Sequence, residues 1–221
     1  MLSRPIIEGL TPKTPVHTIF CIGRNYAEHA LELNNLIPTS PVVFTKPLNS
    51  IIGSGGSIII PPFSNDVHHE VEVVVAIGKG GKNISEAKAL NYIFGYGIGI
   101  DVTARDVQQK LKDKSHPWDV AKGADTFAPI SNFLPANRVP NPFDLELELK
   151  VNEEVKQSGS TKDLIFSIPF LISYLSTIFT LQSGDLIFTG TPKGVGPLAK
   201  GDKLKATLGD NLVSLNVDVK I

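Results

Sequence analysis

The stretch HHEVEVVVAIG, residues 68–78, decides how the fold is read. Alternate residues of a pleated strand share a face, so Glu70 and Glu72 point the same way with His68 below them. From Val73 the run is apolar without interruption, the pattern of a strand buried on both faces. Two carboxylates at the mouth of such a strand repel each other unless positive charge lies between them. The rest of the chain supplies candidates for that charge.

Outward from this run, short segments follow one another between Gly and Pro punctuation. HTIFCIG (17–23) reads as a buried strand entering a loop, and YAEHALELNN (26–35) as a helix of good formers ending at Asn34-Asn35. PVVFTKP (41–47) and SIIIPP (57–62) are short strand-like runs. Ser85 is placed to cap a short helix within ISEAKALNYI. GYGIGIDVTARDVQQKLK (95–112) begins as a strand and turns helical after Thr103. LELELKVN (145–152) alternates with period two, and SIPFLISYLSTIF (167–179) reads as a helix with Pro169 in its first turn. The helices are few and do not alternate regularly with the strands. That points to a β-rich α+β fold built on sheets or a roll, and not to a doubly wound sheet.

The 221 residues, 42% hydrophobic and 19% charged, suffice for one well-cored domain spanning 1–221, with 1–16 as an N-terminal extension or edge segment. A formal charge of −1 and dispersed Lys and Arg give no reason to expect nucleic acid or an anionic membrane as partner. The lone Cys21 excludes an internal disulfide and a four-cysteine zinc site. No apolar run is long enough to span a bilayer, and the N-terminus lacks a secretory pattern. The expectation is a soluble cytoplasmic protein.

Asp101 closes GYGIGID, in which Gly95, Gly97 and Gly99 share a strand face and leave it bare for a close approach. Glu70, Glu72 and Asp101 would make an all-oxygen site, and a partial carboxylate shell suits a catalytic Mg²⁺ or Mn²⁺. A dication would also answer the repulsion between the glutamates. Two readings compete with this one. E-x-E at a strand start is common on solvated sheet faces, and His68 or His69 with Glu70 would build a nitrogen-rich site for Zn²⁺ or Fe²⁺. Spacing alone leaves all three open.

His29 and Glu32 are three apart on the expected helix, so an imidazole and the carboxylate that orients it can meet there, as a water-activating base requires. A solvated surface pair fits the same spacing. Lys122, in PWDVAKGADTFAP, is either partly buried or an ordinary loop lysine. GTPKGVG (190–196) offers free amides and the Thr191 hydroxyl to a carboxylate or phosphate oxygen, but its spacing is not that of a Walker loop. No nucleophile elbow is present, so covalent catalysis is not indicated.

Taken in order, GRNYAEHALE, FTKP, HHEVEVVVAIG, GYGIGIDVTARDVQ, PWDVAKGADTFAP, IFSIPFLISYLS and LIFTGTPKGVGP closely resemble the fumarylacetoacetate hydrolase family, from about Ile19 to the C-terminus. The resemblance is to its short, single-domain branch of acylpyruvate hydrolases and oxaloacetate decarboxylases. It implies a mixed β-sandwich roll of the family's C-terminal-domain type, a homodimer, and Mg²⁺ or Mn²⁺ held by Glu70, Glu72 and Asp101. It further implies a His29–Glu32 dyad on a lid helix, a substrate-facing Lys122, and a pocket lined by Arg24, Arg105, Gln108 and Thr191. The implied chemistry is hydrolysis of the C–C bond of acylpyruvates, decarboxylation of oxaloacetate, or both, through a metal-bound pyruvate enolate. Keto–enol tautomerisation of oxaloacetate and isomerisation of a hydroxymuconate-type diacid are the alternatives on the same scaffold.

Overall fold

The computed structural model describes residues 15–32 and 36–221, and the apolar run 71–77 lies in the middle of its largest sheet. The strands are β1 (Ile19–Gly23), β2 (Val42–Lys46), β3 (Ile51–Ile52), β4 (Ser57–Ile59), β5 (Val67–His69), β6 (Val71–Ile77), β7 (Ile93–Ile100) and β8 (Thr103–Ala104). They continue with β9 (Ala128–Pro129), β10 (Leu134–Pro135), β11 (Glu146–Val151), β12 (Glu154–Ser160), β13 (Leu186–Phe188), β14 (Gly196–Pro197), β15 (Lys203–Leu208) and β16 (Val213–Lys220). The α-helices among the described residues are α1 (Ala27–Glu32), α2 (Arg105–Asp113), α3 (Asp119–Lys122) and α4 (Ile168–Ile178). Residues 1–14 of the expected N-terminal segment and the expected helix end at Asn34-Asn35 lie outside the described residues.

The fold is the expected β-rich α+β sandwich roll. A six-stranded sheet runs β10-β7-β6-β13-β1-β2, and a five-stranded sheet runs β12-β11-β15-β16-β4. Every residue of β6 is buried. Val71, Val73, Val75 and Ile77 enter one core with Leu147, Leu149, Leu204 and Leu215 of the second sheet. Val74 and Ala76 enter another core with Cys21, Ile130 and Phe188. Burial on both faces is why the run carries no polar alternation, and each such side chain contributes roughly 1.5–3 kcal/mol of transfer free energy. The second sheet keeps one face wet: Leu147, Leu149 and Val151 point inward while Glu146, Glu148 and Lys150 do not. In α4 the Ser167 hydroxyl accepts from Phe170 N at 3.3 Å, the N-cap that Pro169 also favours. No helix among the described residues is long and apolar enough to cross a membrane.

Three local readings change. The stretch 67–77 is two strands: β5 pairs with β14 and β8 in a small three-stranded sheet, and the chain passes to the large sheet at Glu70. The glycine face of β7 is filled by protein, because a Cβ on Gly99 would stand 2.7 Å from the Phe188 ring and one on Gly95 would strike the Leu134 carbonyl. The alternation therefore reflects close packing by the chain itself and not room for a ligand. Residues 86–92 form a 3₁₀ helix, and the Ser85 side chain makes no capping bond. The chain just before it is held instead by α4, whose Ser176 accepts from Ile84 N at 2.8 Å.

Candidate active site

Strand register brings three carboxylates together. Glu72 pairs with Gly99 and Val71 with Ile100 across antiparallel β6 and β7, so Glu70 and Asp101 meet just beyond the ladder. Asp101 N closes that step by donating to Glu70 O at 2.8 Å. Ligand atoms of Glu70, Glu72 and Asp101 all lie within 4.8 Å of one another, and all three residues are buried. The expected E-x-E convergence is met, although the strand break falls on its first member.

Two buried lysines answer the repulsion. Lys122, at the end of α3, donates from Nζ to Glu70 Oε2 at 2.7 Å and to Asp101 Oδ2 at 2.6 Å. Lys46, at the end of β2, is ion-paired with Asp101 Oδ1 at 2.7 Å. Its Nζ donates to the carbonyls of Val102 at 3.1 Å, Phe127 at 2.9 Å and Lys122. Arg105, the first residue of α2, pairs with Glu70 Oε1 and donates to Gln108 Oε1 at 2.7 Å.

Burial opposes charge on Glu70, but Lys122 and Arg105 outweigh it and hold that carboxyl well below the usual range. Burial also opposes charge on Lys122, and Asp101 and Glu70 again outweigh it, so the ammonium is held more firmly than usual. Glu72 is different. Burial, then Asp101 and Glu70, push it well above the usual range, outweighing the Gly190 amide at 2.7 Å and the Lys122 ammonium. A divalent cation fits this donor set: it would relieve the Glu72 repulsion, and Asp101 Oδ1 is a buried carboxylate oxygen matched only by the Lys46 ammonium. The hard oxygen donors favour Mg²⁺ or Mn²⁺ over zinc. The two histidines are engaged elsewhere, His69 Nδ1 with Gln157 Oε1 at 2.9 Å and His68 Nε2 with Asp66 Oδ1 at 2.8 Å.

His29 lines the same cavity and is buried, while Glu32 is on its outer side. His29 Nδ1 lies 3.2 Å from Glu32 Oε2, and Glu32 Oε1 accepts from Gly194 N at 2.9 Å. The amides of GTPKGVG are thus directed at carboxylates of this chain, Gly190 at Glu72 and Gly194 at Glu32. Thr191 Oγ1 also lines the cavity and accepts from Gln157 Nε2 at 2.8 Å. Arg24, Arg105 and Gln108 line it too. All ten expected residues gather here, nine on the cavity wall and Glu32 behind His29.

Five participants were missed. Lys46 had one signal, a lone cation inside the apolar run PVVFTKP. Gln157 had none: only the fold carries it to His69, Val71 and Thr191. Lys112 lines the cavity near Arg24 and Arg105, and burial, followed by those two cations, lowers its pKa. Phe44 and Trp118 form an aromatic wall, their ring centroids 5.6 Å apart.

The Fumarylacetoacetate (FAA) hydrolase C-terminal family model matches residues 18–220. A mitochondrial oxaloacetate tautomerase of Arabidopsis thaliana is 48% identical over 204 residues, covering 92% of each chain. The crystal structure of fumarylpyruvate hydrolase from Pseudomonas aeruginosa, in complex with Mn²⁺ and pyruvate, superposes with a TM-score of 0.92 at 35% identity. It covers 100% of this chain and 98% of that one. A 5-carboxymethyl-2-hydroxymuconate delta-isomerase from Mycobacterium smegmatis gives a TM-score of 0.85 at 37% identity, over 99% of this chain and 81% of that one.

Proposed function

This chain belongs to the fumarylacetoacetate hydrolase family, and on that footing we propose that it is a Mg²⁺- or Mn²⁺-dependent oxaloacetate keto–enol tautomerase. One observation carries the reading: a buried lysine ammonium sits among three converging carboxylates in a single small cavity. The choice of oxaloacetate leans on the Arabidopsis relative, and a dianionic substrate suits the cations Arg24, Arg105 and Lys112 on the cavity wall. The proposed catalytic domain is the whole chain, acting as a homodimer.

Glu70, Glu72 and Asp101 would hold the metal, which when bound supplies a Lewis acid for the carboxylate and keto oxygens of a 2-oxo acid. The residues of the chain do the rest. His29, with its proton on Nδ1 toward Glu32, offers Nε2 as a base for a proton on C3 of oxaloacetate. The electron pair of that C–H bond becomes the C2–C3 double bond, and negative charge moves onto the C2 oxygen. The Lys122 ammonium opposes that charge in a site from which water is largely excluded. His29 then returns the proton to the oxygen, giving the enol. Arg105, itself held by Glu70 and Gln108, and Arg24 bind the substrate carboxylates.

A second reading, hydrolysis of acylpyruvates, is favoured by the His29–Glu32 pairing, which would equally activate water against the distal carbonyl. The test follows the enol absorbance of oxaloacetate and the appearance of pyruvate together, with Mg²⁺ and with EDTA. Metal-dependent equilibration without pyruvate is expected. Pyruvate from oxaloacetate would replace tautomerisation with decarboxylation, and pyruvate from acetylpyruvate would establish the second reading.

A further inference from the structure

The charged cavity encloses about 40 Å³, and beside it lies a more open groove of about 610 Å³ lined by residues of β2, the loop before α3 and the end of α4. Among the described residues, the two are lined in common by Phe44 and Trp118 alone. On the cavity side the Phe44 ring centroid is 5.1 Å from Lys122 Nζ. On the groove side the neighbours include Tyr174, Ile178 and Phe179 of α4 and its end. Trp118 extends the wall toward Gly23, where its Cζ3 would stand 3.7 Å from an added Cβ. Trp118 immediately precedes α3, and its carbonyl accepts from Lys122 N at 3.0 Å, so wall and ammonium belong to one turn of chain.

We propose that the Phe44–Trp118 pair is a size gate, which confines substrates to short 2-oxo acids by closing the charged cavity off from the apolar groove. The inference rests on the reading of the cavity as a 2-oxo acid site. An apolar chain attached to the far end of such an acid meets the aromatic wall, and its natural shelter, the groove, lies on the wrong side. Shortening Trp118 joins the two spaces and gives that chain an apolar place to lie. Phe44 is the less informative half of the gate, because its ring also packs on the Lys122 ammonium and its loss would disturb that charge.

Trp118 is the only tryptophan in the chain, so its emission reports directly on the wall. The experiment titrates the full chain, with Mg²⁺ present, with pyruvate and with 2-oxooctanoate, reading tryptophan fluorescence in the wild type and calorimetric heat in Trp118→Ala and Trp118→Phe. The wild type is expected to bind pyruvate at least about tenfold more tightly than 2-oxooctanoate, and Trp118→Ala to lose most of that preference. Trp118→Phe, which keeps a ring in the wall, should retain it; should the alanine variant not fold, Trp118→Leu takes its place. Equal wild-type affinities for the two acids, or a preference unchanged in a folded small-residue variant, would overturn the gate and leave the site reading intact. If neither acid is bound by the wild type, the site reading fails and the gate falls with it.

Discussion

The carboxylate floor and the His29–Glu32 pair face one cavity but are held in opposite ways. Glu70, Glu72 and Asp101 are fixed from β2, α2, α3 and the 190–196 loop, by groups that are themselves buried except for the partly exposed Arg105. Glu32 has His29 and one backbone amide, and its side chain is 33% exposed. Buried charge with a full set of partners is stiff, since losing any partner strands a charge at low dielectric. A carboxylate one-third exposed loses little when one contact opens. The difference teaches that the step common to all the candidate reactions, charge build-up on an enolate oxygen, is assigned to the rigid part. The proton and water handling that separates them is assigned to the looser part.

The hardest test of that division is Glu70→Ala. It removes a proposed metal ligand and the partner of both Lys122 and Arg105, so turnover of every 2-oxo acid substrate is expected to fall at least about 10³-fold. Metal titration by calorimetry should show the accompanying loss of Mg²⁺ or Mn²⁺ affinity. Unchanged turnover at limiting metal would refute the floor as the seat of the chemistry. Lys46→Met asks whether the floor is stiff for the reason given. Three carbonyls and Asp101 Oδ1 lose their cation, and urea unfolding is expected to report about 3–5 kcal/mol of lost stability. A loss near zero would mean that Lys46 adds nothing its neighbours do not supply.

His29→Ala separates the two regions by reaction. Oxaloacetate tautomerisation, in which His29 is the proposed base, is expected to drop about 10²–10⁴-fold, and acylpyruvate hydrolysis, which needs water activated, as much. Any decarboxylation of oxaloacetate would reach the same enolate by loss of CO₂, without that base, and should change much less. Steady-state rates on both substrates with one protein preparation decide the matter. Equal losses would erase the division between floor and dyad.

The same contrast governs what the sequence made legible. The floor was readable because E-x-E at the head of an apolar strand creates a charge conflict that the fold must resolve nearby. Spacing and period made Glu70, Glu72 and Asp101 one of three open readings and set His29–Glu32 and Lys122 beside bland alternatives, and the family resemblance chose among them. Lys46 and Gln157 stayed hidden for a physical reason: their partners are 34 to 88 positions away, and register and sheet packing alone bring them in. The same limit explains the reading of 68–78 as one strand. Local periodicity runs through Glu70 unbroken, while the change of sheet depends on which distant strands, β8 and β14 for β5, β7 and β13 for β6, take up the ladder. The glycines of β7 gave a true signal of close approach, but nothing in the sequence said that Phe188 and Leu134 were the visitors.

The smallest expected effect sharpens the account of the looser region. Besides the Gly194 amide, α1 meets the 190–196 loop through Lys193 and Glu28, whose charged atoms are 3.1 Å apart with side chains 60% and 70% exposed. A pair so open to water gains little from Coulomb attraction and gives back side-chain entropy, so Lys193→Ala should change stability by under about 1 kcal/mol. It should leave the ratio of hydrolysis to decarboxylation where it was. The Glu32 contact is different in kind, because Gly194 offers a backbone N–H that no side-chain change removes. If Lys193→Ala nevertheless lowered hydrolysis selectively, the rim ion pair and not the amide would be what keeps Glu32 against His29. The looser region would then be held by salt-sensitive charge, and raising ionic strength should reproduce the variant's defect in the unmodified protein.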